Sequence, residues 1–307
     1  MTPLVLGALA LLLAWPVPAL LLRVRRLRHT PAAALLLWQS VALAAVLSAL
    51  GAGLSLVTLF LRRGAPWRAE DTPVGYAVAG VALAVTVLVL GRLLLSAHRV
   101  GSELRALRRR HRRQVDLVAR RQDHGRRGLH VLEHPVPVAW CLPGVRERRI
   151  VVTAGLVEAL PPAQVAAVVA HERAHLLARH DLVLEAFTVL QRAFPRGVAS
   201  RRAARETALL VEVLADRAAA GRHGRRALGE ALVTVSSRAA TGGPVAVPVG
   251  SLGAGGSASD LLERVHLLGA ARSRPVQATA VAAGAVLLVA VPTLAVVLPW
   301  LADLRVW

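Results

Sequence analysis

The chain has 307 residues, 55% of them hydrophobic, and a formal net charge of +20. That hydrophobic share is too high for an ordinary soluble enzyme of one or two domains. All the basic side chains are arginine, and alanine, glycine and proline are also abundant. Part of the charge therefore reflects composition, and it does not by itself mark a nucleic-acid-binding surface.

Four apolar runs account for the excess: Pro3–Leu22, Ala32–Leu61, Val74–Leu95 and Val276–Leu301. Each reaches the roughly 20 residues a helix needs to cross a bilayer. Pro16, Pro18, Pro292 and Pro299 are tolerable there as kinks or near helix ends. A cleavable signal peptide carries its positive charge before the apolar core. Here Arg23, Arg25, Arg26 and Arg28 follow it, so the first run reads as a retained span. Arginine flanking sets the expected sidedness. The Arg23–Thr30 loop and the stretch from Arg99 to Arg113 are basic, the Arg62–Pro73 loop is mixed, and Arg272 and Arg274 precede the last span. Both termini are therefore expected outside, with the segment Ser96–Arg274 in the cytoplasm. The expected organisation is 1–95 with three spans (about 3–22, 32–61 and 74–95), 96–275 as a cytoplasmic domain, and 276–307 as a fourth span with a short tail. No acidic or basic residue lies deep in any run, and Arg92 can snorkel from near an end, so the spans read as an anchor or signal conduit rather than a pore.

Beyond the third run, Leu104–Arg127 is basic, helical in character and free of aromatics. It reads as a juxtamembrane helix drawn to anionic lipid rather than a nucleic-acid site. Short strands are predicted over Leu129–Glu133, Pro137–Leu142 and Arg149–Thr153, with a turn at Pro143-Gly144. Helices are predicted over Ala163–Arg179, Asp181–Phe194, Arg202–Ala220 (closed by Gly221), Arg225–Arg238 and Asp260–Leu268, with a flexible loop at Thr241–Ser259. Cys141 is the only cysteine, so neither an intrachain disulfide nor a cysteine zinc site can form. It reads as a small buried apolar residue.

The chemistry concentrates at His171-Glu172-Arg173-Ala174-His175, which matches H-E-x-x-H inside a predicted helix. Residues four apart share a helix face, so both imidazoles can grip one ion. Glu172, rotated about 100° from His171, stands where a general base belongs. A catalytic zinc takes three protein ligands and keeps one position open. Glu212 is the candidate third ligand, because a carboxylate in an Ala/Leu/Val-rich helix needs a partner. Asp216, one turn on, can hold a ligand histidine by its second ring nitrogen. The alternative is that both acids merely pair with arginines such as Arg217. Glu206 is the reserve ligand. His223 and Arg217 are candidates for stabilising the oxyanion, and His180 and Asp181 read as a cap or surface pair. His130-Val131-Leu132-Glu133-His134 spells the inverted motif H-x-x-E-H, but in strand context, where the two histidines stand roughly 7 Å apart.

Three segments carry a family resemblance: Arg149–Leu160, His171–Asp181 and Glu212–Asp216. With the order of three spans, cytosolic domain and fourth span, the chain resembles the BlaR/MecR-type antirepressor metallopeptidases of bacterial membranes. It is also similar to the related membrane gluzincins HtpX and the CAAX prenyl proteases. The resemblance implies a mainly α fold, with four transmembrane helices and a cytoplasmic α+β zincin-like domain holding a small β-sheet. It implies zinc on His171, His175 and Glu212, Glu172 as base, and Val138, Ala139 and Trp140 lying along an extended protein substrate. A bacterial plasma-membrane endopeptidase is the expectation, with a cytoplasmic repressor or another membrane-proximal protein as substrate. The beta-lactam receptors carry an extracellular sensor domain after the last span, and this chain reaches Trp307 without one, so antibiotic sensing by that route is not expected. The rival readings are an HtpX-like quality-control protease, a non-catalytic membrane signalling or scaffold protein and, more weakly, a DNA-binding membrane regulator.

Overall fold

The computed structural model describes residues 2–61, 73–121, 129–144, 148–194, 200–241, 252–253, 258–270 and 274–304. The Arg62–Pro73 loop, the end of the basic stretch and most of the Thr241–Ser259 loop fall outside them. Among the described residues, four helical segments are long and apolar enough to cross a membrane. The first is interrupted. Helix α1 (Thr2–Ala14) stops at Trp15, whose φ of −127° and ψ of −69° are not helical, and α2 (Pro16–Leu21) begins on Pro16. A proline there brings no N–H to continue the ladder. A 3-10 turn over Arg25–His29 leads into α3 (Pro31–Leu61), which packs against α1 and α11 (Pro275–Leu304).

Helix α4 (Pro73–Val118) departs most from expectation. Span and basic stretch form one 46-residue helix without a break at Leu95. Composition changes from apolar to arginine-rich along it, yet no proline interrupts the ladder.

The chain divides into two compact units. One holds Met1–His98, Phe187–Glu206 and Pro275–Trp307; the other holds Arg99–Ala186 and Thr207–Arg274. These limits differ from the 1–95, 96–275 and 276–307 division read from sequence, and polar contacts within the first unit show why. Arg92 donates to the Ala193 carbonyl at 2.8 Å and Ser96 to the Val189 carbonyl at 2.8 Å, while Arg28 grips Glu206 through two bonds of 2.6 and 2.8 Å.

The second unit is built on a small sheet in the order β1-β2-β4-β3-β5. Its strands are β1 (Arg120–Arg121), β2 (Leu129–Leu132), β3 (Ala139–Leu142), β4 (Arg149–Thr153) and β5 (Leu252–Gly253). β2 and β4 are parallel and the other pairs antiparallel. Alternation divides the faces. Leu129, Ala139, Cys141, Ile150 and Val152 pack against α5 (Ala154–Ala159) and α6 (Pro162–Ala178), whereas Trp140, Leu142 and Val151 meet Val115 of α4. Helices α7 (His180–Ala193), α8 (Arg201–His223), α9 (Arg225–Thr241) and α10 (Ala258–Gly269) complete the described fold. α8 runs through Gly221, where closure was expected, and ends before Gly224 at φ +86°.

The end of β4 organises the turn before β3. Buried Thr153 Oγ1 accepts from Val138 N–H and caps α5 through Leu156 N–H, and its hydroxyl donates to the Val136 carbonyl at 2.8 Å. Two residues on, Gly155 N–H donates to the His134 carbonyl at 2.9 Å. A Cβ on Gly155 would lie 1.9 Å from the Pro135 carbonyl oxygen, a backbone atom with no room to yield. Gly155→Ala is therefore expected to destabilise the fold by about 1–3 kcal/mol or more. Gly221→Ala meets nothing within 4 Å and should leave stability unchanged or slightly raised. Thermal denaturation of the two purified variants checks this; equal midpoints would contradict it.

Candidate metal centre

Helix α6 starts at Pro161-Pro162, where a first-turn proline sacrifices no hydrogen bond. From Ala167 to Leu176 nearly every side chain is buried, so the helix places His171, Glu172 and His175 in the interior. α8 brings the partners. His171 Nε2 and His175 Nε2 lie 3.1 Å apart, and each is 3.5 Å from a carboxylate oxygen of Glu212. Two ligands about 2.0–2.1 Å from one ion at a tetrahedral angle stand about 3.3–3.4 Å apart, so the donor set has the spacing of three corners of one coordination tetrahedron. Glu212 keeps 20% of its side chain exposed, while its Oε2 and both imidazoles are buried. Residues 104–240 match the family model for peptidase family M48.

No curated protein and no solved structure gave a match. The M48 match contains all three candidate ligands and Glu172, and it supports a membrane metallopeptidase without extending to BlaR/MecR-type specificity. It stops before α10, which supplies a site residue that sequence reading missed. Arg264, 2% exposed, donates from Nε and Nη2 to the two Asp216 oxygens at 2.8 and 2.7 Å, and its Nη1 lies 3.1 Å from Glu212 Oε2. Asp216 Oδ1 in turn lies 2.9 Å from His171 Nδ1. Asp216 and Glu212 therefore pair with an arginine of α10, while Arg217 has Arg225 as a charged neighbour. The signal for Arg264 was present: it falls three residues after Leu261 and three and four before Leu267 and Leu268, which are all packed inward. A charge on an apolar helix stripe needs a buried partner.

Burial and these contacts set the charge states of the metal-free site. Burial alone would depress His171, but Asp216 and Glu212 beside it outweigh that and raise it to about 10. His175 is lowered to about 3, by burial first and then by the charge on His171. Burial pushes Asp216 up, but its contacts with Arg264 and His171 hold it well below the carboxylate range. Glu172 is raised to about 7, mainly by burial, with the His171 charge opposing. Neither of its buried oxygens has a well-formed hydrogen bond among the described residues; the Cys141 thiol is a polar neighbour.

Other expectations need correction. Glu206 bonds Arg28 and is no ligand. His180 and Asp181 are buried, not a surface pair: His180 Nδ1 lies 3.1 Å from His175 Nδ1, and Asp181 faces Arg179 and Arg108. His130 is in strand β2, and His134 Nδ1 accepts from Val136 N–H, so the inverted motif has no helix. His223 is exposed in the last turn of α8. Along β3, Trp140 and Cys141 pair with Gly253 and Leu252 of β5, so of the residues expected to lie along substrate, Val138, Ala139 and Trp140, only Trp140 has its outer edge taken up by β5.

Because His171 holds a proton up to about pH 10 in the metal-free site, an entering cation must displace it. Apparent zinc affinity should therefore rise about tenfold per pH unit between pH 6 and 8. Calorimetric titration in buffers of different ionisation heat checks this; uptake without proton release would contradict it.

Proposed function

We propose that the chain is a multi-pass membrane zinc endopeptidase that cleaves a cytoplasmic or membrane-proximal protein. The observation that carries this reading is the convergence of His171, His175 and Glu212, with the carboxylate of Glu172 buried on the helix that bears the two histidines. The donor set, two imidazoles and one carboxylate, fits zinc. When bound, zinc supplies a Lewis acid that polarises the scissile carbonyl and makes water more acidic.

The protein's own residues do the rest. Asp216, clamped by Arg264, fixes the ring of His171. Glu172 takes the proton from the attacking water and delivers it to the leaving amine. Its burial, which raises the carboxyl in the metal-free site, suits a group that both takes and returns a proton. Arg264, already charged against Glu212 Oε2, keeps the site's excess negative charge in check.

The four apolar segments and their arginine flanks favour a bacterial plasma-membrane protein with both termini outside and the metal centre in the cytoplasm. Anionic lipid would meet the start of the basic stretch first. At 1.5 Å per residue, Arg105 stands about 15 Å past Leu95 along α4 and Arg113 about 27 Å past it, so the far end reaches headgroups only if the helix tilts. The BlaR/MecR-type resemblance favours a repressor as substrate, and the HtpX-like resemblance a damaged membrane protein. New cut ends in cells carrying the native chain but not Glu172→Gln would distinguish them.

Purified Glu172→Gln is expected to bind zinc as the native chain does and to lose at least about 10²-fold in proteolysis. His175→Ala should lose both. Full proteolysis by Glu172→Gln would contradict the assignment of the base.

A further inference from the structure

The two ligand imidazoles are held from behind in different ways. His171 has a carboxylate at its Nδ1, 2.9 Å away on Asp216. Among the described residues His175 has no acid there; its Nδ1 lies 3.1 Å from Nδ1 of His180, with the rings 4.9 Å apart and inclined at 84°. His175 turns Nε2 toward His171 and Glu212, so its lone pair for a metal is on Nε2 and its proton on Nδ1. That N–H can only donate, and His180 Nδ1 is the acceptor in front of it. His180 must then carry its own proton on Nε2.

The backbone makes an unusual turn to put His180 there. On an unbroken α6, a residue five positions after His175 would lie about 140° away around the axis. Instead α6 ends at Arg179, which adopts φ +53° and ψ +41°, the only positive φ at a non-glycine among the described residues. Left-handed geometry costs a residue with a Cβ about 1–2 kcal/mol and tends to persist where surrounding contacts enforce it. Here Arg179 Nε reaches Asp181 Oδ1 at 3.3 Å, and Arg108 of α4 lies 3.6 Å from the same carboxylate. The turn folds the buried His180 beneath His175 rather than letting it cap a helix at the surface.

We propose that His180 is a positioning residue for the metal centre: its Nδ1 accepts the Nδ1 proton of His175 and so fixes the tautomer and ring plane that present Nε2 to the ion. The inference rests on the zinc-peptidase reading above. It implies a lopsided site, with one imidazole backed by a negatively charged acceptor and the other by a neutral one, which adds no charge behind the second ligand.

The test uses the full chain purified in detergent, with zinc affinity measured by competition against a chromophoric chelator and folding followed by the melting temperature of the metal-free protein. His180→Ala should weaken zinc binding about 10–100-fold. His180→Asn, whose Oδ1 can accept in place of Nδ1, should restore affinity to within a few-fold of native. If His180→Ala does not fold, the folded Asn variant decides alone: native-like affinity supports the inference and a full loss overturns it. Native zinc affinity in folded His180→Ala, or Asn no better than Ala at equal melting temperature, also overturns it. Glu172→Gln measured alongside separates the two levels. A native chain that binds no zinc, or a Glu172→Gln chain that still cleaves protein, removes the peptidase reading itself.

Discussion

Glu212 and Asp216 stand one helical turn apart in a volume that water barely enters, and two carboxylates there repel each other unless a cation lies between them. Arg264 is that cation, bidentate on Asp216 and in contact with Glu212. A buried ion pair of this kind contributes little net stability, because desolvation offsets most of the attraction, but removing one partner typically costs about 3–5 kcal/mol. Its value lies in placement. The planar guanidinium accepts one arrangement of the two acids, and that arrangement puts Asp216 against His171 and leaves Glu212 facing both imidazoles. The candidate metal centre thus depends on α10 as much as on the helix that bears the motif, and α10 is held by Leu261, Leu267 and Leu268 packing against α6, α8 and α9.

Glu172 is governed by the opposite principle. No arginine clamps it and no backbone N–H reaches it among the described residues; behind it lie the apolar sheet and the Cys141 thiol. Burial raises its carboxyl against the opposing charge on His171, while Asp216, clamped by Arg264, is driven the other way. Neighbouring acids with separated proton affinities are what an acid–base role beside a cation requires. The sheet supplies the rigid floor, and the Thr153 and Gly155 contacts fix the turn that leads into β3.

Much of this was legible in the sequence. His171, Glu172 and His175 announced themselves by spacing, and Glu212 by standing in an apolar helix. The apolar runs were visible by length, and Pro16 and Pro18 were read only as tolerable kinks or helix-end residues, so the break after Ala14 came from the structure. What stayed hidden depends on distant pairing or on local backbone geometry without a residue signature. Arg264 lies 48 residues from Asp216 on a short helix, and only its place on an apolar stripe hinted at burial. His180 looked like a cap because the left-handed turn before it is made by an arginine, not a glycine. The continuity of α4 was masked by its change from apolar to charged residues. β5 could not be seen because Leu252-Gly253 sits within a glycine-rich stretch that reads as loop.

The most direct test of the central claim is zinc content and coordination in the purified full chain, by elemental analysis and X-ray absorption. The account predicts about one zinc per chain, bound by two imidazoles, a carboxylate and a light-atom fourth ligand, and its loss in Glu212→Ala. A native chain that takes up no stoichiometric zinc, or a metal whose coordination is unchanged in Glu212→Ala, would contradict it.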